Sequence, residues 1–169
     1  ADTATWNGTM GFPPIGYWVG DEEDGYRTSF EGTFDGNGNV VRNLVIGRLA
    51  TDYHPKWDSI GLFGHIGEDG VVQDLGVVAG SIEGFDAVGA LAGDNDGTVT
   101  GCYATGSVFG HKDVGGLVGG NSGTLSGCYA TGPVGGEWSV GGLAGWNSGA
   151  VYQCHATGDV RVFLGGRRP

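Results

Sequence analysis

Three cysteines are the residues of this sequence best suited to chemistry, because a thiolate can act as a nucleophile, bind a soft metal or form a disulfide. Cys102, Cys128 and Cys154 follow one another at a constant step of 26 residues. They form no Cys-x-x-Cys pair, have no histidine at metal-ligand spacing, and cannot all be paired in disulfides. The constant step indicates one structural position in a repeat, which favours burial over catalysis or metal binding.

The cysteines belong to a repeat that occurs three times and organises the chain. Each copy opens on a valine, and a leucine and the cysteine follow at fixed distances. Such regularity is typical of solenoids, in which each unit buries its apolar side against its neighbours. The sequence therefore predicts an all-β fold, a right-handed parallel β-helix of about five coils with 26-residue repeats. The copies are VGALAGDNDGTVTGCYATGSV (88–108), VGGLVGGNSGTLSGCYATGPV (114–134) and VGGLAGWNSGAVYQCHATGDV (140–160).

The cysteine position can be followed back through a degenerate copy at 60–82 to a still earlier coil. Equivalent positions in stacked strands lie about 4.8 Å apart, and alternate side chains point inward. Free cysteine behaves as a small buried hydrophobe, so we interpret the column as an apolar interior ladder of reduced thiols. The spacing would also permit one disulfide between adjacent coils. The predicted ladder consists of Leu44, Leu75, Cys102, Cys128 and Cys154.

The residue before each ladder position predicts a bend. Four of these five residues are Gly, Asn or Asp, which adopt the left-handed backbone conformation most easily. Gln153 departs from that pattern. We expect the chain to turn there in every coil, at Asn43, Asp74, Gly101, Gly127 and Gln153.

Two columns of side chains should face outward after this bend. Ladders of aromatic residues or threonines stabilise sheets by themselves. An outer aromatic column could also stack on the sugar rings of a glycan. A threonine face could order water as ice-binding solenoids do, although one threonine per coil makes a thin ice face. The aromatic column is Tyr103, Tyr129 and His155, and the threonine column is Thr105, Thr131 and Thr157.

The other polar residues give no catalytic or cofactor signature. Polysaccharide lyases and hydrolases built on β-helices need clustered external carboxylates, whereas these repeats are poor in acids. The histidines share no repeat phase with one another. The sequence therefore predicts no enzyme, no catalytic residue and no cofactor. The histidines are His54, His65, His111 and His155.

Two stretches offer calcium as a minor alternative. The acidic run at 21–24 is more typical of a solvated loop. Asp35, Asn37 and Asn39 resemble the start of a calcium loop, but Val40 and Ile46 stand where such a loop needs glycine and glutamate. The stretch 35–39 is better explained as a sharp corner between two strands.

Charge and hydropathy exclude two classes of partner. Lys and Arg number 8 against 19 Asp and Glu, for a net charge of −11, which argues against nucleic acid and against binding anionic lipid by charge. No apolar run approaches the 18 or so residues of a membrane-spanning helix. The chain begins at Ala1, as a secreted protein does after its signal peptide is removed. We expect it outside the cell or at the cell surface.

Length predicts a single domain over residues 1–169. Residues 1–29 do not match the repeat and are expected to form an N-terminal cap. Residues 30–58 would then form a first coil and an insert, residues 60–160 the repeat coils, and residues 161–169 a C-terminal tail.

The repeat resembles the GLUG motif of bacterial surface proteins. VGGLVGGNSGTLSGCYATG (114–132) carries the resemblance, and GLFG (61–64), FPPIG (12–16) and FEGTFDGNGNVVRNLVI (30–46) extend it over nearly the whole chain. The resemblance implies a non-catalytic β-solenoid region of adhesin-like, haemagglutinin-like or IgA-protease-like secreted proteins, and brings no catalytic residues. The motif usually occurs inside much longer chains.

The C-terminal end predicts assembly. An uncapped coil presents a sheet edge that can pair with another chain, and a head-to-tail contact of this kind need not close. Twelve of the nineteen acids fall in residues 1–74, opposite in sign to the basic tail. We therefore expect a non-enzymatic adhesive or fibre-forming solenoid, whose partners are copies of itself or a host-surface glycan. The predicted assembly end is Arg161, Phe163, Leu164, Arg167 and Arg168.

Overall fold

A computed structural model describes residues 11–16, 18–19, 26–47 and 58–163 of the chain. Regular structure in these ranges is entirely β, and nearly all pairing is parallel. The strands stack into a solenoid of about four turns, preceded by an incomplete first turn. The predicted all-β parallel solenoid is confirmed. The division into cap, coils and tail stays a prediction.

The strands are short, as expected when a turn of 26 residues contains several corners. In chain order they are β1 (Trp18–Val19), β2 (Tyr26–Arg27), β3 (Thr33–Asp35), β4 (Val40–Gly47), β5 (Phe63–Ile66), β6 (Val71–Gln73), β7 (Gly76–Glu83), β8 (Asp86–Val88), β9 (Ala92–Asn95), β10 (Thr98–Thr100), β11 (Tyr103–Phe109), β12 (Lys112–Gly115), β13 (Val118–Asn121), β14 (Thr124–Ser126), β15 (Tyr129–Ala130), β16 (Val134–Gly136), β17 (Trp138–Gly141), β18 (Ala144–Asn147), β19 (Ala150–Tyr152), β20 (His155–Ala156) and β21 (Val160–Val162).

Four parallel sheets run along the solenoid, and we number them I to IV in the order in which the chain passes through them. Sheet I contains β8, β12 and β17, and sheet II contains β5, β9, β13 and β18. Sheet III contains β3, β6, β10, β14 and β19. Sheet IV begins with β4, β7 and β11 and continues through β15 and β16 to β20 and β21. A separate antiparallel pair joins β1 to β2.

Columns of aliphatic side chains fill the interior. Val99 pairs in register with Leu125, and Val108 with Val134, each at the 26-residue step. All four are almost completely buried. Val88 and Leu91 are also fully buried although they stand three residues apart, because the chain turns a corner between sheets I and II. The interior is thus a continuous apolar stack that no single turn could form alone.

The predicted bend is present at Asp74, Gly101, Gly127 and Gln153, whose φ lies between 50° and 62°. Asn43 also has a positive φ, of 55°, but it lies inside β4 at the irregular register beside Leu44 and does not belong to this column. Gln153 therefore follows the pattern despite its side chain, because the stacked turns fix its backbone. A second column of residues with left-handed backbone conformation lies near the start of the strands of sheet I, and the sequence did not reveal it. Its members are Ser59, Ala87, Asp113 and Ser139.

Periodic glycines allow the turns between sheets II and III to stack closely. A Cβ atom on Gly123 would lie 2.1 Å from the carbonyl oxygen of Gly97. Gly149 would meet the oxygen of Gly123 at the same distance. These glycines therefore mark backbone contacts between turns.

The segment 11–16 covers part of the N-terminal face. The backbone N–H of Phe12 donates to the carbonyl of Val45 at 2.9 Å, and Ile15 forms a bridge to Phe63. Pro14 is buried. Residues 1–10, 17 and 20–25 of the predicted cap lie outside the described residues, as does most of the predicted insert, 48–57.

Candidate functional site: the outer aromatic column and the open C-terminal edge

The outer aromatic column is a continuous stack of rings on sheet IV. The ring centroids of Tyr103 and Tyr129 lie 5.0 Å apart with 4° between the ring planes. Those of Tyr129 and His155 lie 5.3 Å apart at 9°. The backbone spacing sets these distances, since Tyr103 pairs in register with Tyr129 and Tyr129 with His155. The structure thus brings together the three residues of the predicted column.

Stacking leaves these rings little surface for a ligand. Each tyrosine has a ring neighbour on at least one face, and the lower face of Tyr103 lies against Gly76, where a Cβ would meet its ring at 2.4 Å. A sugar stacks on the face of an aromatic ring, whereas this column offers mainly ring edges. The threonine column beside it is half-buried at Thr105 and exposed at Thr131 and Thr157.

The cysteine column lies inside the solenoid. Cys102 and Cys128 are fully buried and Cys154 is half-buried, and none of the three forms a disulfide. A hydrogen bond with Cys102, together with burial, raises the pKa of the Cys128 thiol. Burial also raises the pKa of Cys154. Cys128 and Cys154 therefore stay protonated at neutral pH, unlike a catalytic nucleophile. The hydrogen bond with Cys128 lowers the pKa of Cys102, but that thiol is fully buried.

The predicted ladder needs two corrections. Leu44 is buried, but it pairs with Ala79 and not with Leu75. The register of β4 against β7 shifts on both sides of Leu44, so counting back by a constant step fails there. Cys154 keeps an exposed part because no turn among the described residues covers the turn that carries it.

The C-terminal turn exposes residues that belong to the interior. Val151 is 41% exposed, although Leu125 in the same column is fully buried. Val160 is 45% exposed, against 1% for Val134 below it. The strands of this turn are also the outermost members of sheets I to IV. This open C-terminal edge, formed by β17 to β21, therefore ends the core without a cover among the described residues.

Large aromatic side chains surround this edge, and sequence reasoning missed them. Trp138, Trp146 and Tyr152 are strongly exposed and lie on sheets I, II and III. In the turn below, their register partners are Lys112, Gly120 and Ser126. The sequence could have revealed them, because each is an aromatic residue at a repeat position where the preceding copy has a small or polar residue.

The predicted assembly residues lie only partly in the described region. Arg161 is exposed in β21 and faces Asp159 at 3.8 Å. Phe163 is half-buried, and its backbone N–H donates to the carbonyl of Gly136 at 2.8 Å. Leu164, Arg167 and Arg168 lie outside the described residues.

A ladder of buried asparagines connects three turns at the end of sheet II. Nδ2 of Asn95 donates to Oδ1 of Asn121 at 2.7 Å, and Nδ2 of Asn121 donates to Oδ1 of Asn147 at 2.7 Å. Asn95 and Asn121 are fully buried, whereas Asn147 is exposed at the open edge. The 26-residue phase of these asparagines was the sequence signal. The ladder is a polar element that requires the turns to stack in register.

The calcium alternative finds limited support at residues 35–39. Oδ1 of Asp35 accepts from the backbone N–H of Asn37 at 2.7 Å, and Oδ2 accepts from Gln73 at 3.0 Å. Both oxygens thus serve the corner that joins β3 to β4. The acidic run 21–24 lies outside the described residues. Across the described ranges, no group of three or more His, Cys, Asp or Glu side chains is arranged to hold a metal ion.

Histidines outside the aromatic column pair with carboxylates of neighbouring turns. Nε2 of His65 lies 2.8 Å from Oδ2 of Asp96. His111 stacks on Phe85 with centroids 4.5 Å apart, and its ring nitrogens lie 3.7 Å from Asp86 and 3.8 Å from Glu137. His54 lies outside the described residues. Among those described, no helix is present that could span a bilayer.

Comparison with known proteins identifies the repeat. Residues 110–134 and 136–161 match the family described as the GLUG motif. Halomucin of Haloquadratum walsbyi is 37% identical over 105 residues, which cover 62% of this chain. A putative Gly-rich membrane protein of Evansella cellulosilytica is 41% identical over 73 residues, or 41% of this chain.

These relatives are much longer than the chain, which spans 1% of halomucin and 8% of the membrane protein. No solved structure matches the chain. The two GLUG matches coincide with the last two turns, β12 to β16 and β17 to β21. The chain therefore carries GLUG motifs, and each of the two matched motifs forms one turn of the parallel β-solenoid.

Proposed function

We propose that this chain is a non-enzymatic structural module of a cell-surface protein, and that its open C-terminal edge pairs head-to-tail with a second copy to form an adhesive fibre. The exposure of interior columns at that edge carries the proposal. Val151 and Val160 are exposed in the last turn, whereas the residues of the same two columns in the preceding turn are buried. A further layer of strands would bury them and pair the edge backbone.

The surface location rests on the relatives. One is named halomucin, and the other is named a putative Gly-rich membrane protein. Their similarity covers 62% and 41% of this chain. The outward aromatic and threonine columns fit a structural role, and the narrower likeness to adhesins and IgA proteases is part of the proposal.

A second copy is the proposed occupant because it has matching edges. At the N-terminal end, β3 is the outermost strand of sheet III and is parallel to the strands of the C-terminal edge. The outer edge of β4 in sheet IV is partly covered by Gly11 and Phe12. Glu31 and Asp35 are exposed beside β3, and Arg161 is exposed on the last turn. Opposite charges at the two ends would favour and orient a head-to-tail encounter.

Sedimentation velocity over a range of concentrations tests this proposal. We expect the unmodified chain to associate as concentration rises and Val160→Lys to remain monomeric, because a charge would replace an apolar contact in the joint. Thr131→Lys is the matched control, since Thr131 is exposed on the outside of the preceding turn. A monomeric unmodified chain at all concentrations would overturn the proposal, as would equal association of all three proteins.

Glycan binding receives less support as a function of the aromatic column. The faces of Tyr103 and Tyr129 are occupied by neighbouring rings, and the free upper face of His155 lies at the proposed joint. Ice binding is supported still less, because the column contributes one threonine per turn.

A further inference from the structure

We propose that Cys128 and Cys154 form a site of thiol–disulfide exchange with small-molecule disulfides such as oxidised glutathione. The exchange ends in a Cys128–Cys154 disulfide that ties the terminal turn to the turn below it. Both cysteines are free in this structure. The inference does not depend on the proposed assembly.

The two cysteines occupy equivalent positions on adjacent turns. The residues that follow them, Tyr129 and His155, are register partners in sheet IV. Adjacent strands lie about 4.8 Å apart, inside the 4.4–6.8 Å range of Cα separations that disulfides span. The backbone N–H of Cys128 donates to Sγ of Cys154 at 3.3 Å. The Cys154 sulfur therefore points toward the strand that carries Cys128.

The solvent exposure of Cys154 favours a disulfide between Cys128 and Cys154 over one between Cys102 and Cys128. Those two cysteines are fully buried, whereas Cys154 is half-buried on the uncovered turn. A reagent in solution therefore meets Cys154 first. Cys128 is then the thiol next to it, on the only turn that borders the terminal one.

Joining the two groups requires the Cys128 thiol to turn away from its present partners. It hydrogen-bonds with Cys102 and makes weak contacts to the carbonyl oxygens of Ser126 at 3.3 Å and Val99 at 3.6 Å. Rotation about its Cα–Cβ bond would turn the sulfur toward Cys154. No described residue covers the terminal turn from above, so this turn can shift by the fraction of an ångström that the shorter Cβ separation of a disulfide requires.

The chemistry proceeds in two balanced exchanges. The Cys154 thiolate attacks one sulfur of oxidised glutathione, forms a mixed disulfide and releases one glutathione thiolate. The Cys128 thiolate then attacks the Cys154 sulfur of that mixed disulfide and releases the second glutathione. Two protein thiols are oxidised, one glutathione disulfide is reduced to two thiols, and the two thiol protons go to the released glutathiones.

The pKa values of both thiols set the conditions for the reaction. Burial raises the pKa of Cys154, and the hydrogen bond with Cys102 together with burial raises the pKa of Cys128. Both thiolate fractions are therefore small at neutral pH and increase as the solution becomes more alkaline. Exchange should therefore be slow near pH 7 and faster near pH 9, at about the ordinary pKa of a thiol or above it.

Peptide mapping of the native, dilute chain after incubation with oxidised glutathione near pH 9 tests the proposal. We expect one disulfide-linked peptide pair containing Cys128 and Cys154, a mass loss of two hydrogens, and one remaining thiol at Cys102. Cys102→Ala should give the same linked pair, and Cys154→Ala should give no disulfide at all. The proposal fails if all three thiols stay free, if glutathione remains attached at Cys154, or if Cys102 and Cys128 are joined instead.

Two features of this experiment make its result decisive. The mapping on the unmodified chain needs no variant, so a folding defect in either substitution leaves the result decidable. The assembly proposal is tested separately, because a monomeric chain that forms the disulfide would support this inference and overturn the fibre. In an assembled fibre, Cys154 would be covered and the exchange slowed.

Discussion

Replacing Asn121 by alanine should be among the most damaging single changes in this solenoid. The side chain sits in the middle of the asparagine ladder, where it accepts from Asn95 and donates to Asn147, both at 2.7 Å. The substitution removes both hydrogen bonds and leaves the buried amide of Asn95 with only a 3.4 Å contact to the carbonyl of Gly97.

The loss can be estimated from these contacts. A hydrogen bond within a protein contributes about 1 kcal/mol net, and a buried donor left without a partner costs about 1–3 kcal/mol. We therefore expect Asn121→Ala to lower the free energy of unfolding by about 2–4 kcal/mol. Asn147→Ala is the matched control, because it removes one ladder bond at the exposed end and leaves the other end of the ladder intact. Its cost should be about 1 kcal/mol.

Urea unfolding followed by circular dichroism and by tryptophan fluorescence measures both values. The two signals should give the same midpoint if the stacked turns unfold together. The ladder would have no stabilising role if Asn121→Ala stayed within about 0.5 kcal/mol of the unmodified chain, the range of ordinary surface substitutions. Equal losses for Asn121→Ala and Asn147→Ala would show that burial of the ladder does not matter.

Three other expectations follow from backbone and thiol geometry. Gly123→Ala should lower the free energy of unfolding, measured by heat or urea, by about 1–3 kcal/mol, because the added methyl group meets the carbonyl of Gly97. Gly149→Ala should lower it less, since the terminal turn can move. A larger loss for Gly149→Ala would contradict this prediction. Gln153→Gly should stabilise by about 0.5–1 kcal/mol, because glycine relieves a left-handed φ of 51°; a loss of stability would show that this backbone is not strained. Burial raises the pKa of Cys154 in the folded chain, so the free energy of unfolding should fall as pH rises above about 8.5, and Cys154→Ala should reduce that slope. An unchanged slope would contradict the prediction.

The repeat made most of the fold predictable. A constant step of 26 residues fixes which residues pair between turns, as in Val99 with Leu125, and it also fixes the bend before each cysteine. Gln153 shows how far this holds, because it takes the left-handed conformation of its column without having a suitable side chain. The step fails at Leu44, where irregular register in β4 changes the count.

Other features depend on tertiary contacts that residue types do not encode. Ala87 has a φ of 49°, and nothing in an alanine side chain favours that conformation. Its backbone is held by the stacked strands of sheet I. The second left-handed column was therefore invisible in the sequence, although its members are spaced with the repeat from Ala87 onward.

The candidate site was predicted in part. The aromatic column could be read from its phase, but the ring planes, which decide whether a sugar could stack there, come only from the structure. Trp138 and Trp146 were missed because they replace a lysine and a glycine of the preceding turn. The uncapped C-terminal end stays a prediction; among the described residues, the structure adds the exposure of Val151 and Val160.

Electron microscopy of the purified chain at increasing concentration tests the central proposal most directly. We expect unbranched filaments one solenoid wide, with a strand repeat of about 4.8 Å along the axis that continues across the joints. Dispersed single particles at every concentration, with no filaments, would contradict head-to-tail assembly through the C-terminal edge.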